Sequence, residues 1–223
     1  MILNLKDLNT FVTFHHFKMD SIHTCSQLMR PHCYMASIDL RDAYFSVPID
    51  KEHQKYLKFF WRGTLYQFTC LAQGLSSAPC LFTKLLKPVF SYLRELGHIS
   101  SGYLDDSFLL EYSFEECQTN VTDMPHGVKA VIIPTQILHH LGFILNSLDM
   151  TVSIFEEKHA KLKHTAQKVL EKKSPTIREV AQLIGRMVSC FPVLEYGELL
   201  PCVIIWRTFL PPARNRKGCS FKS

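Results

Sequence analysis

Ser101-Gly102-Tyr103-Leu104-Asp105-Asp106-Ser107-Phe108-Leu109-Leu110 sets an acidic pair between apolar or aromatic residues, with a glycine ahead of it. The pattern predicts a strand, a tight turn and a second strand. In a regular strand neighbouring side chains point to opposite faces, so adjacent aspartates share no site. A turn lifts that limit and brings both near one divalent cation. Mg²⁺ takes carboxylate oxygens and shares them with substrate phosphates. Aspartate is also a common turn residue, so an ordinary acidic hairpin tip fits the decapeptide alone equally well.

Two upstream blocks shift the balance. Tyr34-Met35-Ala36-Ser37-Ile38-Asp39 predicts a strand ending in aspartate, and Leu40-Arg41-Asp42-Ala43-Tyr44-Phe45-Ser46-Val47-Pro48 follows it. Leu71-Ala72-Gln73-Gly74-Leu75-Ser76-Ser77-Ala78-Pro79 then leads into a long apolar-striped segment. In this order the three blocks resemble the palm of reverse transcriptases. The acidic hairpin is similar to that family's Tyr-x-Asp-Asp box, and Asp39 with its continuation to the first catalytic block. Gln73-Gly74 is similar to the block under the incoming nucleotide, although Ala72 departs from the usual proline. Gly74 to Pro79, Phe82 to Pro88 and Leu141-Gly142-Phe143 look most like retrotransposon enzymes of the tyrosine-recombinase (DIRS-like) kind. The likeness runs from about residue 3 to about residue 190.

The resemblance implies an α+β fold: a right-hand polymerase palm with an antiparallel sheet, partial fingers and a small helical thumb. Residues 1–33 and 50–70 are expected to be partial fingers, and 34–49 with 71–153 the palm. Residues 154–208 would be thumb-like helices and 209–223 a basic tail. It also implies RNA-directed DNA polymerisation, in which a 3′-hydroxyl displaces pyrophosphate from a deoxynucleoside triphosphate. Two Mg²⁺ (or Mn²⁺) ions would lower the hydroxyl pKa and neutralise the leaving phosphates. Asp39, Asp105 and Asp106 are the implied catalytic residues and metal ligands, with the carbonyl of Leu40 a further ligand. Asp39 and Asp105 are expected close enough to share the metal pair.

The same resemblance places Asp42, Ala43, Tyr44, Gln73, Gly74 and Lys129 at the nucleotide. Tyr44 would exclude a 2′-hydroxyl, turn amides at Asp42-Ala43 would meet the triphosphate, and glycine at 74 permits close backbone approach. Leu141-Gly142-Phe143 corresponds to the primer grip. An RNA or DNA template with its primer is the implied partner, while oligomeric state stays open. The chain begins inside the fingers-like segment, and the region 113–129 looks shortened. Weak or absent polymerisation by the chain alone is therefore expected.

The 223 residues suffice for one good core, or a core and a satellite. A hydrophobic fraction of 47% with 20% charged residues describes a folded chain, not a disordered one. No apolar run reaches the ~18–20 residues of a membrane span, and Met1 to Lys6 has no signal-peptide pattern. The expected setting is intracellular, cytoplasmic or nuclear, with no secretion and no membrane partner. The eight cysteines show no zinc-type spacing, which predicts reduced, mostly buried thiols. His15-His16 and His139-His140 each lack a nearby third ligand.

Lysines at 158, 161, 163, 168, 172 and 173 and a basic tail accompany the net charge of +5. Such stripes favour polyanions, although a charged helix face is usually just solvated. Apolar periodicity predicts a helix from Ser76 or Ser77, with Leu81, Phe82, Leu85, Leu86, Val89, Phe90 and Leu93 against the sheet and a kink at Pro88. Lys84, Lys87 and Arg94 fall on its other side, on solvent or on template phosphate. Ser113 and Thr176 open capping boxes. Pro125-His126-Gly127 is expected to end the first of these helices, and a strand follows from Lys129. Two further readings stand beside the polymerase: an inactive nucleic-acid-binding relic, and a metal-dependent nuclease, such as a ribonuclease H-linked polyprotein fragment, using the same aspartates.

Overall fold

The computed structural model describes residues 3–13, 15–124, 129–172 and 174–193, with backbone alone for 129–132. The helix stop expected at 125–127, the tail at 209–223 and the thumb-like segment beyond 193 lie outside these residues. In chain order come α1 (Lys6–Asn9), α2 (Ile22–Leu28), β1 (Tyr34–Asp39), α3 (Lys51–Gln54), β2 (Lys58–Trp61), β3 (Thr64–Gln67), α4 (Ala78–Glu95), β4 (Ile99–Tyr103) and β5 (Asp106–Glu111). They are followed by α5 (Phe114–Asp123), β6 (Lys129–Thr135), β7 (Ile137–His140), β8 (Phe143–Asn146), β9 (Thr151–Ile154), α6 (Glu156–Leu170) and α7 (Ile177–Val188). Two compact units divide the chain after Thr151.

The first unit is built on a sheet of order β4-β5-β1-β6 in which each neighbouring pair is antiparallel. Side chains alternate across the pleat. Ala36, Ile38 and Leu109 therefore share one face, where they form a core with Phe90 and Leu93 of α4 and Cys117, Val121 and Met124 after them. Ser37 and Phe108 share the opposite face. There His140 of β7 meets both: its Nδ1 lies 2.9 Å from Ser37 Oγ and its ring 5.6 Å from that of Phe108. Burial pushes the His140 imidazole down to about 4, so it sits neutral in the core.

Helix α4 begins behind Ser77, with proline in its first turn, and runs on through Pro88. Its buried stripe is narrower than periodicity predicts, because Leu81 and Leu85 are 49% and 55% exposed. Where α4 crosses β4, Gly102 makes room: a Cβ there would stand 2.3 Å from the Phe90 ring. Beside this crossing His98 bridges two carboxylates, Glu111 Oε1 at 3.1 Å and Asp123 Oδ2 at 2.9 Å. Asn120 Nδ2 also donates to Glu111 Oε1, tying α5 to the hairpin of β4 and β5. Ser113 caps α5 with the reciprocal bonds of a capping box.

Two hairpins complete this unit. In β2–β3, Arg62 and Gly63 both have positive φ, as a type I′ turn requires. In β7–β8 the same turn falls on Leu141 and Gly142. In sequence, Ile137 to Leu145 reads as one strand of a hairpin with Met150 to Ser153, and the structure instead folds it back on itself at Leu141-Gly142. The second unit holds α6 and α7, whose Val169, Val180, Leu183 and Met187 pack with Leu162, Ala166 and Ile184. Leu170 continues the helical spacing of Leu162, Ala166 and Val169 in sequence, yet it is 82% exposed. Thr176 caps α7, and Glu179 pairs with Lys172, which holds its carboxyl at about 2. No helix of the described residues is long and apolar enough to cross a membrane.

Candidate active site at the acidic hairpin

Register brings the acidic residues together. Asp39, last in β1, is paired with Asp106, first in β5, and on its other side with Lys129 of β6. By pleat alternation Asp39 and Asp106 share the face opposite α4 and α5. Tyr103 pairs with Asp106, so Leu104 and Asp105 form the two-residue turn. Leu104 takes a left-handed φ of +53°, a conformation that side chains with a Cβ rarely adopt. The main chain locks the two ends: Leu40 N–H donates to Asp105 O at 2.8 Å.

Like charges facing each other across a ladder are unfavourable by roughly 0.2–1 kcal/mol. The effect is visible at Asp106, whose carboxyl is pushed up by burial, then by Asp105 and then by Asp39. Among the described residues no three His, Cys, Asp or Glu side chains stand close enough to hold a metal ion as they are. Backbone register pairs Asp39 with Asp106, and the Leu40–Asp105 main-chain bond holds the turn beside them. The donors are all hard oxygens, the set that suits Mg²⁺ or Mn²⁺.

Beside the turn opens a cavity of about 490 Å³ lined by Leu40, Asp42, Ala43, Tyr44, Gln73 and Gly74 among others, including Leu104 and Asp105. That volume falls within the ~300–1,000 Å³ usual for small-molecule sites. Asp42 enters a short 3₁₀ turn (Ala43–Ser46) with φ +57° and pairs with Arg41 at 3.3 Å. Tyr44 stands edge-on to Phe82 with ring centres 5.2 Å apart. Its phenol is pushed up by burial, then by Asp105 and Tyr103, which places the ring between core and acidic turn.

Gly74 has φ +110°, and a Cβ there would lie 2.2 Å from the carbonyl oxygen of Leu3. The close approach comes from the segment ahead of α1, for Leu3 N–H also donates to Gln73 O at 3.0 Å. Asn9 completes the clamp: its Nδ2 donates to Gly74 O and its Oδ1 accepts from Ser76 N–H, both at 2.9 Å. Asn9, Phe45 and Leu104 escaped the sequence reading. For Leu104 a signal existed, as the variable position inside the acidic box. Leu141-Gly142-Phe143 lies on the β7–β8 hairpin, with Phe143 buried, and not in the cavity wall.

Comparison with known proteins supplies the family. Residues 1–134 match the family model described as reverse transcriptase (RNA-dependent DNA polymerase). The chain belongs to the reverse transcriptase family. It is 35% identical over 97 residues to the Gag-Pro-Pol polyprotein of Human T-cell leukemia virus 2, covering 40% of this chain and 6% of that one. The fold matches the foamy viral protease-reverse transcriptase dRH solved with double-stranded DNA at a TM-score of 0.70. Identity there is 21%, over 93% of this chain and 37% of the other. A second foamy viral protease-reverse transcriptase, solved with an RNA/DNA hybrid, gives a TM-score of 0.65 at 20% identity, over 83% and 25%. The reverse transcriptase fold of these structures is the mixed helix and antiparallel-sheet architecture described above. The chain spans only a minor part of each relative.

Proposed function

We propose that this chain is the polymerase domain of a retroelement and extends a DNA primer on an RNA template. The pairing of Asp39 with Asp106 beside the Asp105 turn, next to a nucleotide-sized cavity, carries the reading. Asp39, Asp105 and Asp106, with the Leu40 carbonyl, would hold two divalent cations. Those ions supply activation of the 3′-hydroxyl and charge neutralisation at the leaving phosphates. The chain's own residues do the rest. Tyr44, braced on Phe82, floors the sugar position; Asp42 and Ala43 offer turn amides to phosphate; Gln73 and Gly74 present the nucleotide's edge. Lys129 joins through its register beside Asp39. Leu141-Gly142-Phe143 would steady the primer.

In this reading the sheet of the first unit and its helices are the palm, the β2–β3 hairpin is part of the fingers, and α6 with α7 is the thumb. The Gly74 to Pro79 wording supports a retrotransposon of the DIRS-like kind, working inside the cell, in cytoplasm or nucleus. Single-nucleotide extension of a DNA primer on RNA, with Mg²⁺ or Mn²⁺, tests the function. Incorporation that requires the cation and disappears in Asp105→Asn supports it. Hybrid binding without any incorporation would favour the inactive relic, and cleavage of nucleic acid without deoxynucleotides the nuclease.

A further inference from the structure

A second, smaller hollow lies on the other side of the acidic turn. It measures about 160 Å³, and Lys18, Asp20, Thr83, Lys87, Arg94 and Leu104 are among its walls. We infer that this hollow seats one backbone phosphate of the nucleic-acid strand lying along the sheet. The inference rests on the polymerase reading and adds to it a strand-binding subsite.

Charge is the first argument. Lys87 and Arg94 are seven residues apart on α4, two helical turns, and so share one face. Lys18 joins them from a separate segment. Asp20 is the one carboxylate in the wall, and it is already engaged: its Oδ2 accepts from Ser101 Oγ at 2.9 Å and from Gly102 N–H at 3.4 Å. Among the described residues Lys18, Lys87 and Arg94 make no ion pair. Three cations drawn from two segments to one hollow, against the single carboxylate of Asp20, leave it net positive and favour an anionic ligand. A merely solvated helix face does not require Lys18 to converge on it.

Hydrogen bonding and size narrow the ligand. Thr83 Oγ1 is buried without a partner, and Thr83 belongs to the same wall. Buried hydroxyls are ordinarily satisfied, so this one has a donor to spare for an oxygen. The volume is below the ~300 Å³ where small-molecule sites begin. It suits a phosphate group and not a whole nucleotide.

Position gives the strand. Leu104 lines this hollow and also the larger cavity. A polynucleotide whose end occupies the larger cavity passes Leu104 and reaches the three cations. Lys84, grouped with Lys87 and Arg94 by sequence, separates from them here and lines a different hollow with Thr13 and His15.

The test is fluorescence anisotropy of a labelled RNA/DNA hybrid titrated with the full chain in EDTA, from low to moderate KCl. Each lost phosphate contact lowers the slope of log K against log salt by about 0.7–0.9. Lys87→Ala/Arg94→Ala is expected to flatten the slope by about 0.7–0.9 and weaken binding roughly tenfold near 0.1 M salt. Lys51→Ala/Lys55→Ala, a charge-matched double control outside the hollow, should leave both unchanged. A wild-type slope in the double variant overturns the inference, as does an equal loss in the control.

A small anion is the competing source. If the double variant loses pyrophosphate binding and keeps the wild-type hybrid slope, the hollow serves free phosphate and the strand assignment falls. Omitting metal keeps the measurement separate from catalysis, which needs the cations. If wild type itself fails to bind hybrid, the polymerase reading and the subsite fall together.

Discussion

Leu40 and Asp105 are joined by main chain: the Leu40 N–H donates to the Asp105 carbonyl at 2.8 Å. The two acidic segments are therefore held together without help from their carboxylates, which only repel. Asp105→Asn should leave the thermal transition unchanged or raise it, and Asp106 should titrate closer to an ordinary carboxylate. Differential scanning fluorimetry and carboxyl NMR check the two parts. A fall in Tm of several degrees would mean that the Asp105 side chain carries structural weight.

Tyr44 is braced by Phe82 and reaches toward Asp105. Tyr44→Ala should lose the edge-on ring pair and cost about 1–2 kcal/mol. It should also raise ribonucleotide use relative to deoxynucleotide use, while Tyr44→Phe keeps the ratio. Paired denaturant melts and incorporation ratios decide whether the ring works as a gate. A stability loss with an unmoved ratio assigns Tyr44 to the core alone.

Gly74→Ala meets two obstacles, a φ of +110° and the Leu3 carbonyl oxygen 2.2 Å from the new Cβ. The expected cost is about 1–3 kcal/mol, with release of the Leu3 segment seen as faster amide exchange at Leu3. Asn9→Ala, which removes the clamp on the same loop, should act in the same direction with less force.

Much of this arrangement is legible in residue order, for stated reasons. The acidic pair, the Arg62-Gly63 turn and the capping boxes at Ser113 and Thr176 are local features, and each appears where its own chemistry demands. Features that depend on distant partners are not legible. Nothing near Gly74 in sequence shows that Leu3 will cover it. The exposure of Leu81, Leu85 and Leu170 depends on how wide a face each helix buries, which periodicity alone leaves undefined. The turn at Leu141-Gly142 was hidden because leucine with positive φ is a poor turn signal.

Buried neutral His140 makes stability depend on pH. Its folded pKa, about 4, lies below the ordinary imidazole value of 6.5, so the unfolded chain binds the proton more readily. The stabilisation is complete above the unfolded pKa and is lost as pH falls from about 6.5 toward 4, by roughly 3 kcal/mol in all. His140→Gln should flatten the urea-derived stability across that window. An unchanged slope would show that other groups dominate it.

Direct observation of the cations tests the central claim that Asp39, Asp105 and Asp106 form a divalent-metal site. Mn²⁺ titration followed by electron paramagnetic resonance, with a deoxynucleoside triphosphate present, should show up to two bound ions per chain. The Asp39→Asn/Asp105→Asn double variant should lose them while keeping its fold. Manganese binding by that folded variant with wild-type stoichiometry and affinity would contradict the account.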